Sequence, residues 1–235
     1  VDLYRDYRPG LRGLDWDLER GVHWAVVGAN GSGKSTLLRF VYGEFHAALG
    51  GVVERLGHPP GTHLEAWRRR VAYVSPELQA DYRDRVAVLE LVVSGLRSSI
   101  GLDEPPTRDE VRRARAALRR AGIAAWERRR YHDLSYGQRR LALLARALVG
   151  MPELLLLDEP LTGLDAQWRA RVRELLQSVA EEGTQLVMAV HHESDRVPEV
   201  SHVLRLRGGR AKATRPRSPA ASYRHAPRAS VTSRR

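Results

Sequence analysis

The chain has no cysteine, only two phenylalanines and two methionines, and its 39 basic residues include just two lysines, Lys34 and Lys212. Without cysteine there is no disulfide framework and no thiolate metal site. Long apolar runs are missing as well. None approaches the ~20 residues needed to span a bilayer, and the start lacks a signal-peptide pattern, so a soluble protein is expected. Acidic residues are absent from one end: residues 203–235 hold ten Lys/Arg and no Asp or Glu. Without that segment the net charge of +11 falls to +1. A nearly neutral body with a basic tail argues against a specific nucleic-acid partner.

Against this background residues 28–36 stand out. Gly28-Ala29-Asn30-Gly31-Ser32-Gly33-Lys34-Ser35-Thr36 fits the pattern G-x-x-x-x-G-K-[ST]. A mostly apolar segment at 22–27 precedes it and a helix start at 36–41 follows. Glycines let the backbone curl until successive N–H groups face a phosphate oxygen, and the helix N-terminus behind adds partial positive charge. Lys34 would reach the β- and γ-phosphates, and the Ser35 hydroxyl would ligate Mg²⁺. A glycine-rich turn fits the bare pattern by chance in roughly one chain in a hundred of this length. The lysine argues against that explanation. A composition that uses arginine almost everywhere keeps a slender ammonium where a phosphate would sit.

At 235 residues the chain can form one large α/β domain with a small helical insertion. Residues 1–210 are read as that domain, about 81–133 as its helical subdomain, and 211–235 as a disordered basic tail. The alternation Leu14-Asp15-Trp16-Asp17-Leu18 predicts an edge strand, and Gly50-Gly51-Val52-Val53 a short one. Further strands are predicted at 71–74, 154–157, 186–190 and 203–206. The run at 154–157 does not alternate, as expected for a strand covered on both faces. Helices are predicted over 86–96, from Thr107 with Val111, Ala114, Leu118 and Ala121 at helical spacing, over 135–149, and over 166–182. Arg112, Arg113, Arg119 and Arg120 lie beside Asp109 and Glu110 without interleaved aromatics, so they read as a solvated face.

Two more stretches carry chemistry. Leu154-Leu155-Leu156-Leu157-Asp158-Glu159-Pro160 delivers two carboxylates from the end of an apolar strand. Asp158 would accept from Mg²⁺-bound water or ligate the ion, and Glu159 would polarise an attacking water. Alone, an acidic turn explains the stretch equally well; behind a phosphate loop in a parallel sheet it does not. Leu134-Ser135-Tyr136-Gly137-Gln138 opens a helix, offering Ser135 and the Gly137 N–H to an anion. Alone, it would be an ordinary serine N-cap.

Taken in order with Leu161-Thr162-Gly163-Leu164-Asp165 and with His191 after a strand, these motifs resemble the ATP-binding cassette (ABC) ATPases over about residues 1–210. Y-V-S-P-E-L-Q at 73–79, L-S-Y-G-Q at 134–138 and H-H-E-S-D at 191–195 are most similar to the ATP-binding proteins grouped with molybdate transport, some linked to photorepair. The resemblance implies an α/β P-loop NTPase core, a mostly parallel sheet with flanking helices. It adds an inserted helical subdomain and an N-terminal antiparallel β portion.

It further implies ATP and Mg²⁺ as cofactors, a head-to-tail homodimer sandwiching two ATP molecules, and a separate membrane permease holding the chain at the inner face of the cell membrane. Nucleotide contacts then fall on Gly28, Asn30, Gly31, Ser32, Gly33, Lys34, Ser35 and Thr36. Ser135, Gly137 and Gln138 would face the other subunit's nucleotide, and Asp165 would steady the interface. Tyr4 or Tyr7 would stack on adenine. Catalysis would rest on Glu159 and His191, and metal binding on Ser35, Asp158 and Gln79. Read alone, His191 is a satisfied histidine at a strand end.

The sequence departs from the family pattern twice. Tyr136 occupies the first of two usual signature glycines. The glutamine that usually follows the Tyr73 strand directly arrives late, so Gln79 in a longer loop, or Glu77, would serve as the Mg²⁺/water sensor, with Gln79 slightly favoured. A soluble ABC protein acting on ribosomes or DNA is the other function class. Those families usually carry two cassettes or a coiled-coil insertion, and this sequence shows one cassette and neither feature. A regulator without hydrolysis is disfavoured by Glu159. The transported substrate is chosen by surfaces outside this chain, and molybdate is analogy only.

Overall fold

Strands buried on both faces need no polar alternation, and the central strands here have none. A computed structural model describes residues 2–5, 8–45, 52–55, 64–82 and 86–214. In chain order the elements are β1 (Leu3–Arg5), β2 (Arg8–Leu11), β3 (Trp24–Val27), α1 (Lys34–Tyr42), α2 (Leu64–Arg68), β4 (Val71–Val74), α3 (Pro76–Asp81) and α4 (Val88–Ser94). They continue with α5 (Arg108–Arg120), α6 (Tyr136–Leu148), β5 (Leu154–Asp158), α7 (Ala166–Glu181), β6 (Gln185–Val190), β7 (His202–Arg207) and β8 (Arg210–Thr214).

Six strands form one sheet in the order β4-β5-β6-β3-β7-β8, parallel throughout except for the antiparallel β7–β8 edge. A separate antiparallel pair, β1–β2, precedes it. This is the α/β architecture expected from the sequence. Successive residues along the strands serve opposite cores. Trp24, Val26, Leu154, Leu156, Val187 and Ala189 pack toward α1 and the β1–β2 side. Ala25, Val27, Leu155, Leu157, Leu186 and Met188 pack with α4, α5, α6 and α7. Each Val, Leu or Met among them, fully buried, contributes roughly 1.5–3 kcal/mol. Helices α4 and α5 fall within the expected helical insertion and share this second core. Arg97 grips Glu110 through two hydrogen bonds of 2.8 and 2.9 Å, pinning the start of α5.

Several expectations need correction. No strand forms over 14–18. Leu14 is buried and Trp16 and Leu18 pack on the core while Asp15 and Asp17 stay exposed, so the alternation reports one-sided burial and not membership of a sheet. Gly50 and Gly51 lie outside the described residues, and Val52 and Val53 are irregular. The helix expected over 86–96 is shorter, with Ala87 as its N-cap and a 3₁₀ turn from Gly95 to Arg97 after it. The expected tail starts too early. Residues 210–214 form β8, paired with β7 through Val203↔Thr214 to Arg207↔Arg210. Gly208 and Gly209, at φ 57° and 73°, supply the two left-handed residues of a tight hairpin. Residues 215–235 lie outside the described residues.

Candidate active site

The order β5-β6-β3 sets three strand C-termini side by side. Val27 pairs with Val190, and Asp158 with Ala189, so the chain leaves all three strands at one edge. From β3 issues the phosphate-loop sequence, from β5 the pair Asp158-Glu159, and from β6 His191. Chemistry thus collects at the carboxyl ends of parallel strands, where α/β sheets bind their ligands.

The loop between β3 and α1 depends on glycine. Gly31 and Gly33 adopt φ 74° and 101°, which L side chains rarely reach, and Gly33 caps α1 in that conformation. A Cβ on Gly28 would lie 2.5 Å from Ser32 Oγ and 2.7 Å from the Leu206 carbonyl oxygen. Lys34 is buried and its ammonium donates to the Gly28 and Ala29 carbonyls at 2.9 and 3.3 Å. Asn30 and Gly31 are exposed, Ser32 and Ser35 half-buried, and Thr36 buried.

Glu159 and His191 meet as their motifs suggest. His191 Nε2 lies 2.8 Å from Glu159 Oε1, and Lys34 Nζ lies 3.9 Å from the same oxygen. Glu159 holds a left-handed backbone, φ 48°, which costs a non-glycine residue about 1–3 kcal/mol. Its amide donates to the Ala189 carbonyl at 3.0 Å, fixing the turn against β6. Glu159 can therefore accept a proton or align a water, with His191 beside it.

Asp158 is 2 % exposed, and burial raises its pKa against the lowering effect of a hydrogen bond to Ser35. Tyr73 donates to its Oδ2 at 3.3 Å, while Oδ1 is buried without a partner among the described residues. The Tyr73 phenol is itself pushed upward by burial, then by the Asp158 charge. Motif reading gave Tyr73 no role at the site, although its place on the strand beside β5 was the available signal.

The sensor expectation fares differently. Ser75 does not open a longer loop; its Oγ accepts from the Leu78 amide and caps α3. Glu77, exposed on α3, is close enough for its charge to raise the Asp158 pKa further. Gln79, two residues on and so on the far side of the helix, is buried with Oε1 unpartnered among the described residues. The sensor role therefore stays with Gln79 or Glu77, now on a short helix and not in a longer loop.

At the start of α6, Ser135 Oγ accepts from the Gln138 amide at 3.3 Å and Gln138 Oε1 accepts from the Ser135 amide at 3.0 Å. This is a capping box, so the ordinary helix-start role is realised too. Gly137 is buried because Trp168 lies over it: a Cβ there would sit 2.3 Å from the indole Cγ. Asp165 caps α7, its Oδ1 accepting from the Trp168 amide at 2.9 Å. Trp168 was missed because its role depends on packing between two helix starts distant in sequence. Tyr4 lies in β1 but its side chain, like all of Tyr7, is outside the described residues.

A buried, partly unsatisfied carboxylate beside a serine at the phosphate-loop helix suits Mg²⁺, which takes one or two protein oxygens and completes its shell with phosphate and water. Ser35 and Asp158 thus fit the ion as a pair. A cavity of about 1180 Å³ lies elsewhere, bounded by Trp16, Trp67, Phe40, Leu154 and Gln185. The last two start β5 and β6, so it opens at the opposite end of the sheet from the phosphate loop.

Comparison with known proteins agrees with this geometry. The family model for "ABC transporter" matches residues 11–162. The chain is 38% identical over 211 residues to the ABC transporter ATP-binding protein ModF of Escherichia coli K12, covering 87% of this chain and 42% of ModF. It therefore spans less than half the length of that relative. It is 34% identical over 213 residues to YlmA, an uncharacterized ABC transporter ATP-binding protein of Bacillus subtilis 168, covering 89% and 80% of the two chains. Among solved structures it superposes on cbiO1 of Clostridium perfringens, part of the ABC transporter complex cbiONQ, with a TM-score of 0.75 and 26% identity over 92% of this chain and 86% of that one. The sheet order, the phosphate loop and these matches lead to one conclusion: the chain belongs to the ABC transporter family of ATP-binding, ATP-hydrolysing domains.

Proposed function

We propose that this chain hydrolyses ATP as the cytoplasmic subunit of a transporter, coupling Mg-ATP-driven closure of a homodimer to a separate membrane permease. One observation carries the reading: Lys34 and His191 converge on a single carboxylate oxygen of Glu159 at the mouth of the phosphate loop. Lys34 would exchange the Gly28 and Ala29 carbonyls for phosphate oxygens, since its present partners are the weaker acceptors. Glu159 would align the attacking water and take its proton, and His191 would steady Glu159 and meet the charge growing on the γ-phosphate. Mg²⁺, held by Ser35 and Asp158, would neutralise phosphate charge as the bond breaks.

Ser135, Gly137 and Gln138 would offer a positive helix end to the nucleotide of the other subunit, with Asp165 at the interface. Tyr4 or Tyr7 is the proposed adenine platform. Among the described residues no helix is long and apolar enough to cross a membrane; the permease is proposed as a separate chain. The test is light scattering of Glu159→Gln at high protein concentration. A dimer that forms only with Mg-ATP supports the reading, and a monomer under both conditions removes the sandwich from it.

A further inference from the structure

Tyr136 stands where the family pattern has a glycine, at the first residue of α6, and its side chain does not simply point into solvent. It is 45% exposed, and the covered part of its ring lies over the turn that follows Glu159. That turn is anchored by buried Leu161 and Leu164, with Thr162 and Gly163 bulging outward between them. Gly163 adopts φ 76°, and a Cβ there would lie 3.1 Å from Tyr136 Cε1 and 3.4 Å from its hydroxyl oxygen. The hydroxyl donates to the Thr162 carbonyl at 3.5 Å and accepts from Arg140 Nη2 at 3.0 Å.

Arg140, one helical turn along α6, explains why the ring stays there. Its side chain is fully buried and its guanidinium carbon sits 5.6 Å from the centre of the Tyr136 ring. Nε and Nη1 have no acceptor among the described residues, so this buried cation relies on Tyr136, through hydroxyl and π face together. The turn is bonded in the other direction as well: the Thr162 amide donates to the Glu159 carbonyl at 3.2 Å. Two hydrogen bonds therefore run from the start of α6, through Thr162, to the backbone of the strained glutamate.

We propose that Tyr136, held by Arg140, is a positioning residue that joins the start of α6 to the turn 159–164, so that the anion-facing helix end and Glu159 move as one piece. The inference rests on the reading of Glu159 as the base and deepens it. A glycine at 136 would leave the two motifs connected only through core packing, with Thr162 and Gly163 uncovered.

The experiment combines amide hydrogen exchange without nucleotide and phosphate release with Mg-ATP, on wild type, Tyr136→Gly and Tyr136→Phe. Tyr136→Gly is expected to exchange several-fold faster at 162–165 and to lose about tenfold in kcat, with KM for ATP within twofold. Tyr136→Phe keeps the ring over Gly163 and should fall between the two. Because Tyr136 is half-exposed in a first helical turn, both variants should fold; should Tyr136→Gly melt early, Tyr136→Phe decides. Wild-type exchange at 162–165 in the tested variant, or faster exchange with unchanged kcat, overturns the proposal. A wild-type chain that releases no phosphate would instead remove the hydrolytic reading, while the exchange comparison still judges the link.

Discussion

His191 Nε2 and Glu159 Oε1 stand 2.8 Å apart, although they leave different strands and are separated by α7. Adjacent parallel strands β5 and β6 produce this contact directly, because they end at the same edge. Replacing His191 by Ala leaves Glu159 less firmly aimed and removes a partner for developing phosphate charge. Phosphate release should fall by about 10²-fold, with ATP affinity within about threefold because ground-state contacts remain. Equal losses in affinity and rate would assign His191 to nucleotide binding instead.

Lys34 bonds to the carbonyls of its own loop, so the ammonium organises the loop as well as awaiting phosphate. Lys34→Ala should weaken ATP binding by roughly tenfold to a hundredfold, the loss of a charge-assisted hydrogen bond. Both released carbonyls can turn to water, so the melting temperature should stay within a few degrees of wild type. Titration calorimetry on the folded variant checks this, and unchanged affinity would contradict it.

His23 gives the fold an acid sensitivity. The Leu186 amide donates to its Nδ1 at 3.0 Å, and burial holds its pKa below the usual histidine value despite the raising charge of Glu199. A depressed pKa means the unfolded chain takes up the proton first as pH falls. Stability is therefore kept above the unfolded value near 6.5 and lost progressively below it. Asn at this position offers an oxygen in place of Nδ1 and does not titrate. The drop in melting temperature from pH 7.5 to pH 5 should be smaller in His23→Asn; at about 2–4 °C per kcal/mol, scanning calorimetry can read it. Identical drops would exclude His23 as a source.

Ending the chain after Thr214 removes only residues outside the described fold, whose composition offers little to a core. Ending it after Gly209 removes β8 and turns β7 into a bare edge. The first truncation should melt within about 2 °C of the full chain, and the second several degrees lower with a tendency to aggregate. Equal melting temperatures would mean that β8 contributes nothing to the sheet.

The sequence made the site's parts legible where local chemistry demands particular residues. Glycines at positive φ, the single core lysine, and two carboxylates at a strand end mark it without any knowledge of topology. Relationships set by packing were harder to read. Gln79 reads as part of a longer loop, yet Ser75 and Pro76 begin a short helix that buries it and leaves Glu77 exposed. The alternation at 14–18 encoded burial, which an irregular segment achieves as well as a strand does. Gly208-Gly209 carried a hairpin signal, masked by the arginine-rich composition beyond it. Tyr136 read as a lost glycine, because only the fold brings Gly163 beneath its ring.

The most direct measurement of the central claim is steady-state phosphate release with Mg-ATP by wild type and Glu159→Gln at equal ATP occupancy. Glutamine keeps the shape and most of the hydrogen bonding of Glu159 but not the charge that activates water. Turnover by the wild type, with at least ~10²-fold slower release by the variant, is the expected result. Equal rates from the two proteins would contradict it.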